Sequence, residues 1–288
     1  MSLTQALASN TSLLYLLAGL AGLIVGSFLN VLILRLPPLL EYAWRLEARA
    51  VLELPETETP PADLFQPGSH CPHCKTPLRP WQNIPLLSFL LLRGRCAHCA
   101  ARISLQYPLV ELAAALMALA CVWRFGYSPQ LAAALLLSWT LLALAVMDFQ
   151  TLLLPDALTL PLLWLGLLAA LVPIYAPLPA ALLGAAFGYL SLWSLYWLFR
   201  LATGKEGMGY GDFKLLALLG AWLGWQALPA IVLLSSISAA LVGIVLIVLR
   251  RAGRHSAIPF GPYLAAAGWL VLVFGPQLQR WYFEFLTS

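Results

Sequence analysis

The strongest constraint in this 288-residue chain is a succession of apolar runs, each long enough to fill a bilayer as a helix. A hydrocarbon core about 30 Å thick takes roughly 20 apolar residues at helical rise. The first run covers residues 13–34, interrupted mainly by Ser27 and Asn30, and Arg35 and Pro37 are read as its end. It is too long for a signal peptide, and no Lys or Arg precedes it. Further spans are expected at 108–124, 130–147, 155–173, 178–199, 213–225, 228–249 and 261–278. Turn and breaker residues separate them: Gly126-Tyr-Ser-Pro129, Pro177 with Pro179, Gly204 to Gly211, and Gly253 to Pro262. The expected fold class is therefore an all-α polytopic membrane protein of about eight transmembrane helices. Hydrophobic residues make up 61% and charged residues 10%, which excludes a soluble enzyme, a disordered chain or a nucleic-acid binder. No nucleic-acid partner is expected, and the net charge of +4 reflects loop charges that face a lipid bilayer's aqueous sides.

One polar stretch, 37–106, is long enough to fold outside the membrane. It divides the chain into a first transmembrane helix (1–36), a polar loop subdomain (37–106) and a seven-helix membrane core (107–288). If the loop is cytoplasmic, the loops alternate after it, and 14 of the 16 Lys and Arg lie on that side. Eight are in the loop region, from Arg35 to Arg102. Arg200, Lys205 and Lys214 follow, then Arg250, Arg251 and Arg254. Only Arg124 and Arg280 fall outside. This segregation predicts an even number of spans with both termini on the periplasmic side.

Four of the five cysteines form Cys71-Pro-His-Cys74 and Cys96-Ala-His-Cys99, separated by 21 residues. Two such pairs present four thiolates that close a tetrahedral zinc site with no open position, which is the structural kind. The competing reading, disulfides or a redox pair, suits an oxidising compartment rather than a cytoplasmic loop. His70, His73 and His98 flank the pairs. Cys121 lies in an apolar span and reads as a small buried hydrophobe.

Ionisable residues at membrane depth are costly and functional by default. Asp148 ends the third span, Asp156 follows Pro155 and opens the fourth, Asp212 follows Gly207-Met-Gly-Tyr-Gly211 and opens the sixth, and Glu111 lies near the start of the second. In the orientation above, the three aspartates share the cytoplasmic end. Two carboxylates brought together from different helices share a proton and act as acid and base toward a water. The glycines, Gly209 and Gly211 among them, suit such a site by permitting close backbone approach and positive φ. Asp156 reads rather as a helix cap; Asp212 and Asp156 have competing readings as N-caps or favourable charges at helix N-termini, and Asp148 and Asp212 as interfacial charges or polar contacts between helices. On these residues alone an aspartyl membrane protease and a proton-coupled transporter stand level, with an assembly scaffold docking through its zinc loop as a third reading.

The chain resembles the type IV prepilin peptidases, and among them the bifunctional prepilin leader peptidases and N-methyltransferases. The resemblance rests on Gly26-Ser-Phe-Leu-Asn-Val-Leu-Ile-Leu-Arg-Leu-Pro37, Cys71-Pro-His-Cys74, Pro80-Trp-Gln-Asn-Ile-Pro85, Leu92-Arg-Gly-Arg-Cys96 and Tyr107-Pro-Leu-Val-Glu-Leu112. It continues through Asp148, Leu154-Pro-Asp156, Gly207-Met-Gly-Tyr-Gly-Asp-Phe-Lys214 and Pro259-Phe-Gly-Pro262, in order over nearly the whole chain. It implies that Asp148 and Asp212 are the catalytic pair, with Asp156, Gly209, Gly211, Lys214 and Glu111 as supporting candidates. Prepilins and pseudopilins would be substrates, cut after a glycine at the cytoplasmic face of the bacterial inner membrane, in the service of type IV pili and type II secretion. It also implies S-adenosylmethionine as methyl donor, with the cysteine loop marking the bifunctional members. A peptidase without methyltransferase activity is the narrower alternative. No glycine fingerprint in the loop places the methyl donor.

Overall fold

The computed structural model describes residues 9–55, 59–66, 68–205, 207–249 and 259–287, side chains excepted at 276 and 278–287. Arg250, Arg251 and Arg254, and the side chain of Arg280, lie outside what is described. The chain forms two compact units, 1–127 and 128–288. The boundary expected at 106 follows the change from polar to apolar sequence. The packing boundary falls one helix later, because the second apolar helix packs on the first.

The first unit is built on α1 (Thr11–Val51), started by Asn10, whose side chain accepts the Leu13 N–H at 3.0 Å. The end expected at Arg35–Pro37 does not occur. α1 runs through Pro37 and Pro38 for 41 residues, or about 60 Å at helical rise, twice the depth of a bilayer core. Proline removes a ladder donor, but the stretch beyond it, Leu39 to Val51, is dominated by Leu, Glu, Ala and Arg, which favour helix strongly enough to resume it. A short helix α2 (Leu87–Leu91) follows within the polar segment, and α3 (Gln106–Phe125) packs against α1. Small residues allow the contact: a Cβ on Gly22 would lie 2.6 Å from the Ala115 Cα, and one on Gly26 2.6 Å from the Glu111 Cα. Such close backbone approach is how helices associate where lipid removes the hydrophobic incentive.

The second unit comprises α4 (Pro129–Thr151), α5 (Asp156–Ala169), α6 (Leu178–Thr203), α7 (Tyr210–Leu223), α8 (Leu228–Val248) and α9 (Gly261–Thr287). Together with α1 and α3, eight apolar helices lie among the described residues, in the order expected. Five are long and apolar enough to cross a membrane unaided, while α5 and α7 have 14 residues each. α7 is the centre of this unit. It is buried at ten of its 14 positions and packs on α5, α6, α8 and α9. Its shortness is tolerable because it is enclosed by protein and need not match the lipid. Gly184 and Gly188 of α6 meet Gly220 and Leu216 of α7 backbone to backbone; a Cβ on Gly184 would fall 2.2 Å from the Gly220 carbonyl oxygen. The Trp222 indole donates to the Leu162 carbonyl at 2.8 Å and the Trp269 indole to Ser138 Oγ at 3.0 Å, tying α7 to α5 and α9 to α4.

Candidate active site and metal centre

Asp148 and Asp212 both belong to the second unit. Asp148 sits in the last turn of α4, before Leu152 ends the helix in the left-handed conformation. Asp212 is the third residue of α7, which starts three residues earlier than expected, with Gly209 in the capping position. The sequences around them make these ends: Leu152 at positive φ stops α4, and Gly209 directly precedes the first residue of α7. The two carboxylates are 6% and 7% exposed and lie near enough for the charge of Asp148 to be felt at Asp212. Gly261 N–H, at the start of α9, donates to Asp148 Oδ2 at 3.0 Å. Oδ1 of Asp212 is buried with no hydrogen-bond partner. A buried carboxylate oxygen left open in this way costs free energy unless water or substrate reaches it.

Glycines let these segments converge. A Cβ on Gly261 would lie 2.6 Å from Asp148 Oδ2, and a Cβ on Gly211 2.8 Å from the Leu154 Cβ. Leu154 thus lines the space between the α4–α5 link, Gly211 and Gly261. Close approach, as expected, is one use of the Gly207–Gly211 run. Positive φ is not: Gly209 has φ −80°, and none of the three is among the described residues with positive φ. A Cβ on Gly209 would meet open space.

Asp156 is not a cap. Pro155 holds that position without a side-chain bond, and Asp156 instead receives Lys214 Nζ on both carboxylate oxygens at 2.7 Å. The pair joins the first turns of α5 and α7, two residues beyond Asp212. Glu111 lies in the first unit, 7% exposed, where it accepts the Leu86 N–H at 2.8 Å and a bond from Ser27. In the sequence Gly261 stands out only within the Pro259-Phe-Gly-Pro262 motif. Its one local signal is a glycine between Phe260 and Pro262 at a helix start.

The candidate metal centre is in the first unit. The Sγ atoms of Cys71, Cys74, Cys96 and Cys99 all lie within 4.8 Å of one another, with Cys71 and Cys99 3.8 Å apart, and all four are free thiols rather than disulfides. Tetrahedral zinc–sulfur bonds of about 2.3 Å place sulfurs about 3.8 Å apart. Two matching turns create the cluster. Cys71 N–H bonds the Thr76 carbonyl and Lys75 N–H the Cys71 carbonyl; Cys96 N–H bonds Ala101 and Ala100 N–H bonds Cys96. Lys75 and Ala100 both have positive φ, 58° and 56°. Leu78 to Ser69 and Ile103 to Gly94 close both turns at 2.8 Å. The Thr76 hydroxyl, 3.3 Å from Cys74 Sγ, lowers that thiol to about 6, so it is thiolate at neutral pH. Although the Ala101 amide pulls its thiol down, desolvation and the crowding sulfurs push Cys99 up to about 11. Four cysteine sulfurs at this spacing are placed to hold a metal ion.

Comparison with known proteins follows the same division. Residues 20–125 match the bacterial peptidase A24 N-terminal domain, and residues 135–244 match the type IV leader peptidase family. The chain belongs to the type IV leader peptidase family. It is 54% identical over 286 residues to the prepilin leader peptidase/N-methyltransferase of Pseudomonas aeruginosa, covering 99% of each chain. It is 53% identical to that of Stutzerimonas stutzeri over 99% of each, and 44% identical to that of Legionella pneumophila over 93% of this chain and 94% of the other. No solved structure matches. The N-terminal domain of the family coincides with the unit that carries the four-cysteine cluster, and the leader peptidase region holds both aspartates.

Proposed function

We propose that this protein removes the short basic leader from prepilins and pseudopilins by aspartyl chemistry and then N-methylates the new terminal residue. The observation that carries the reading is the pair Asp148 and Asp212, both buried and within electrostatic reach of one another, from α4 and α7 in a chain of this family. Gly261 occupies one oxygen of Asp148 and orients that carboxylate, while Oδ1 of Asp212 is left for a water or for the scissile group. One aspartate takes a proton from the attacking water as its oxygen bonds to the scissile carbonyl carbon. The other gives its proton to the carbonyl oxygen. As the tetrahedral intermediate collapses, the carbon–nitrogen bond breaks and the departing amine takes a proton from the pair. No side-chain nucleophile is required.

The protein is placed in the bacterial inner membrane with both termini periplasmic and the carboxylate pair at the cytoplasmic face, as the distribution of Lys and Arg supports. The substrate's apolar segment then stays in lipid while its basic leader stays among the cytoplasmic charges. Cys71, Cys74, Cys96 and Cys99 would hold one structural zinc ion, whose role is to fix the two turns of the loop. S-adenosylmethionine would supply an activated methyl group to the amine that cleavage exposes. The test incubates purified protein with a prepilin and isotope-labelled S-adenosylmethionine and reads the product terminus by mass spectrometry. The expected product is leader-free and one labelled methyl heavier. An intact leader would sink the peptidase reading, and a cleaved but unlabelled product would remove the methyltransferase.

A further inference from the structure

The first unit contains a cavity of about 480 Å³ that the carboxylate chemistry does not use. Its walls are α1, α3, the segment 82–92 and the two cysteine turns. Pockets for ligands of cofactor size run from about 300 to 1,000 Å³. Its α1–α3 wall holds two polar side chains that ordinary helix packing does not need. Asn30 is 1% exposed, and its amide nitrogen donates to the Gly26 carbonyl at 3.2 Å and the Tyr107 carbonyl at 3.1 Å. Both partners are acceptors, so the amide orientation is fixed and Oδ1 is left buried with no donor. One helical turn away on each helix, Gly26 leaves room for Glu111. The Glu111 carboxylate is held by the Leu86 N–H, on a residue at φ 57° and ψ −48°, outside both the right- and left-handed helical wells. A leucine strained in order to orient a buried carboxylate is the kind of local cost found at binding sites.

An acceptor without a donor beside a buried carboxylate selects a ligand that brings a cationic donor, such as an alkylammonium. Phe89 and Tyr107 also line the cavity, offering the flat apolar surface on which a purine stacks, while Arg35 and Arg102 supply positive charge for a carboxylate. S-adenosylmethionine carries all these groups: ammonium, carboxylate and purine. We propose that this cavity is the S-adenosylmethionine site, with Asn30 Oδ1 and the Glu111 carboxylate receiving the ligand's ammonium. The proposal rests on the methyltransferase reading above and locates it. The zinc cluster, whose Cys71 and Cys96 contribute to the wall, then serves methylation by holding this cavity in shape.

The test is equilibrium dialysis of S-adenosylhomocysteine against the full-length protein in detergent. It is paired with ultraviolet crosslinking of labelled S-adenosylmethionine and peptide mapping. Asn30→Leu and Glu111→Gln should each weaken binding at least about tenfold. Ser88→Trp, which fills the cavity without touching the acceptors, should abolish it. Metal content reports whether each variant remains folded. Label should fall in peptides within 26–35 or 82–111. Wild-type affinity in all three variants, or label confined to residues beyond 127, would overturn the site while leaving the methyltransferase reading intact. Unchanged S-adenosylhomocysteine binding with a raised KM for a pilin-terminus peptide would also overturn it, since the acceptors would then hold the substrate amine. A wild-type protein that neither binds the ligand nor methylates would remove both readings.

Discussion

The two units solve the problem of holding a reactive cluster in opposite ways. In the second unit, Asp148 and Asp212 are 64 positions apart and come near one another through α5 and α9, on which both α4 and α7 pack, with Gly211 leaving room for Leu154 and Gly261 for Asp148 Oδ2. In the first, four thiols are presented by two short turns with the same hydrogen bonds, repeated at an interval of 25 residues from Cys71 to Cys96. The carboxylate site is a product of helix packing, and the thiol site is a product of local backbone geometry that leaves room for an ion. Damage should therefore spread differently. A membrane-core substitution that moves a helix end disturbs catalysis directly, whereas loss of the ion loosens turns and whatever they support.

The largest expected effect is on the pair itself. Asp148→Asn and Asp212→Asn should each reduce leader cleavage at least about 10³-fold, the scale of general acid–base contributions, while the purified protein still carries its metal. Near-normal cleavage by either variant would break the assignment of chemistry to the second unit. Next, replacing Cys71 and Cys74 with Ser should take the metal content from about one zinc ion per chain to none and open the 69–103 segment to proteolysis. Methylation should fall more than cleavage. Equal losses of the two activities would erase the contrast drawn here, and iron in place of zinc would correct the ion.

Gly261→Ala tests the packing argument at a single atom. The added Cβ competes with Asp148 Oδ2 for the same space, so cleavage should drop about 10- to 100-fold, as misplacement near 1 Å does elsewhere. Unchanged kcat would show that α9 yields more easily than its packing suggests. The smallest effect should come from Lys214→Ala. Its partner Asp156 is 53% exposed, and exposed ion pairs contribute about 1 kcal/mol or less. Cleavage should stay within about fivefold of normal. A larger loss would promote Lys214 from a brace between α5 and α7 to a participant.

Much of this arrangement is legible in the residues taken one segment at a time. Eight apolar runs became eight apolar helices, and the Cys-x-x-Cys pairs became turns that bring their sulfurs together, because span length and knuckle geometry depend on near neighbours. Pro37 misled at this level. A proline penalty is real, but it competes with the helix-favouring run of thirteen residues from Leu39 to Val51, and the run wins. Asp156 misled as well, since capping is a local inference and Lys214, its actual partner, is distant in sequence.

The sequence by itself determined the class of the molecule, its membrane helices in order, its thiol cluster and the identity of the carboxylates that lipid makes expensive. Tertiary structure alone decided that Asp148 and Asp212 come within electrostatic reach of one another and that Gly261 grips one of them. It also decided that Glu111 takes the Leu86 N–H and lines the same cavity as Asn30. These are contacts between residues tens of positions apart, set by which small residues let two helices touch. Composition and spacing carry no record of that choice, because the same glycines are compatible with many partners until packing selects one.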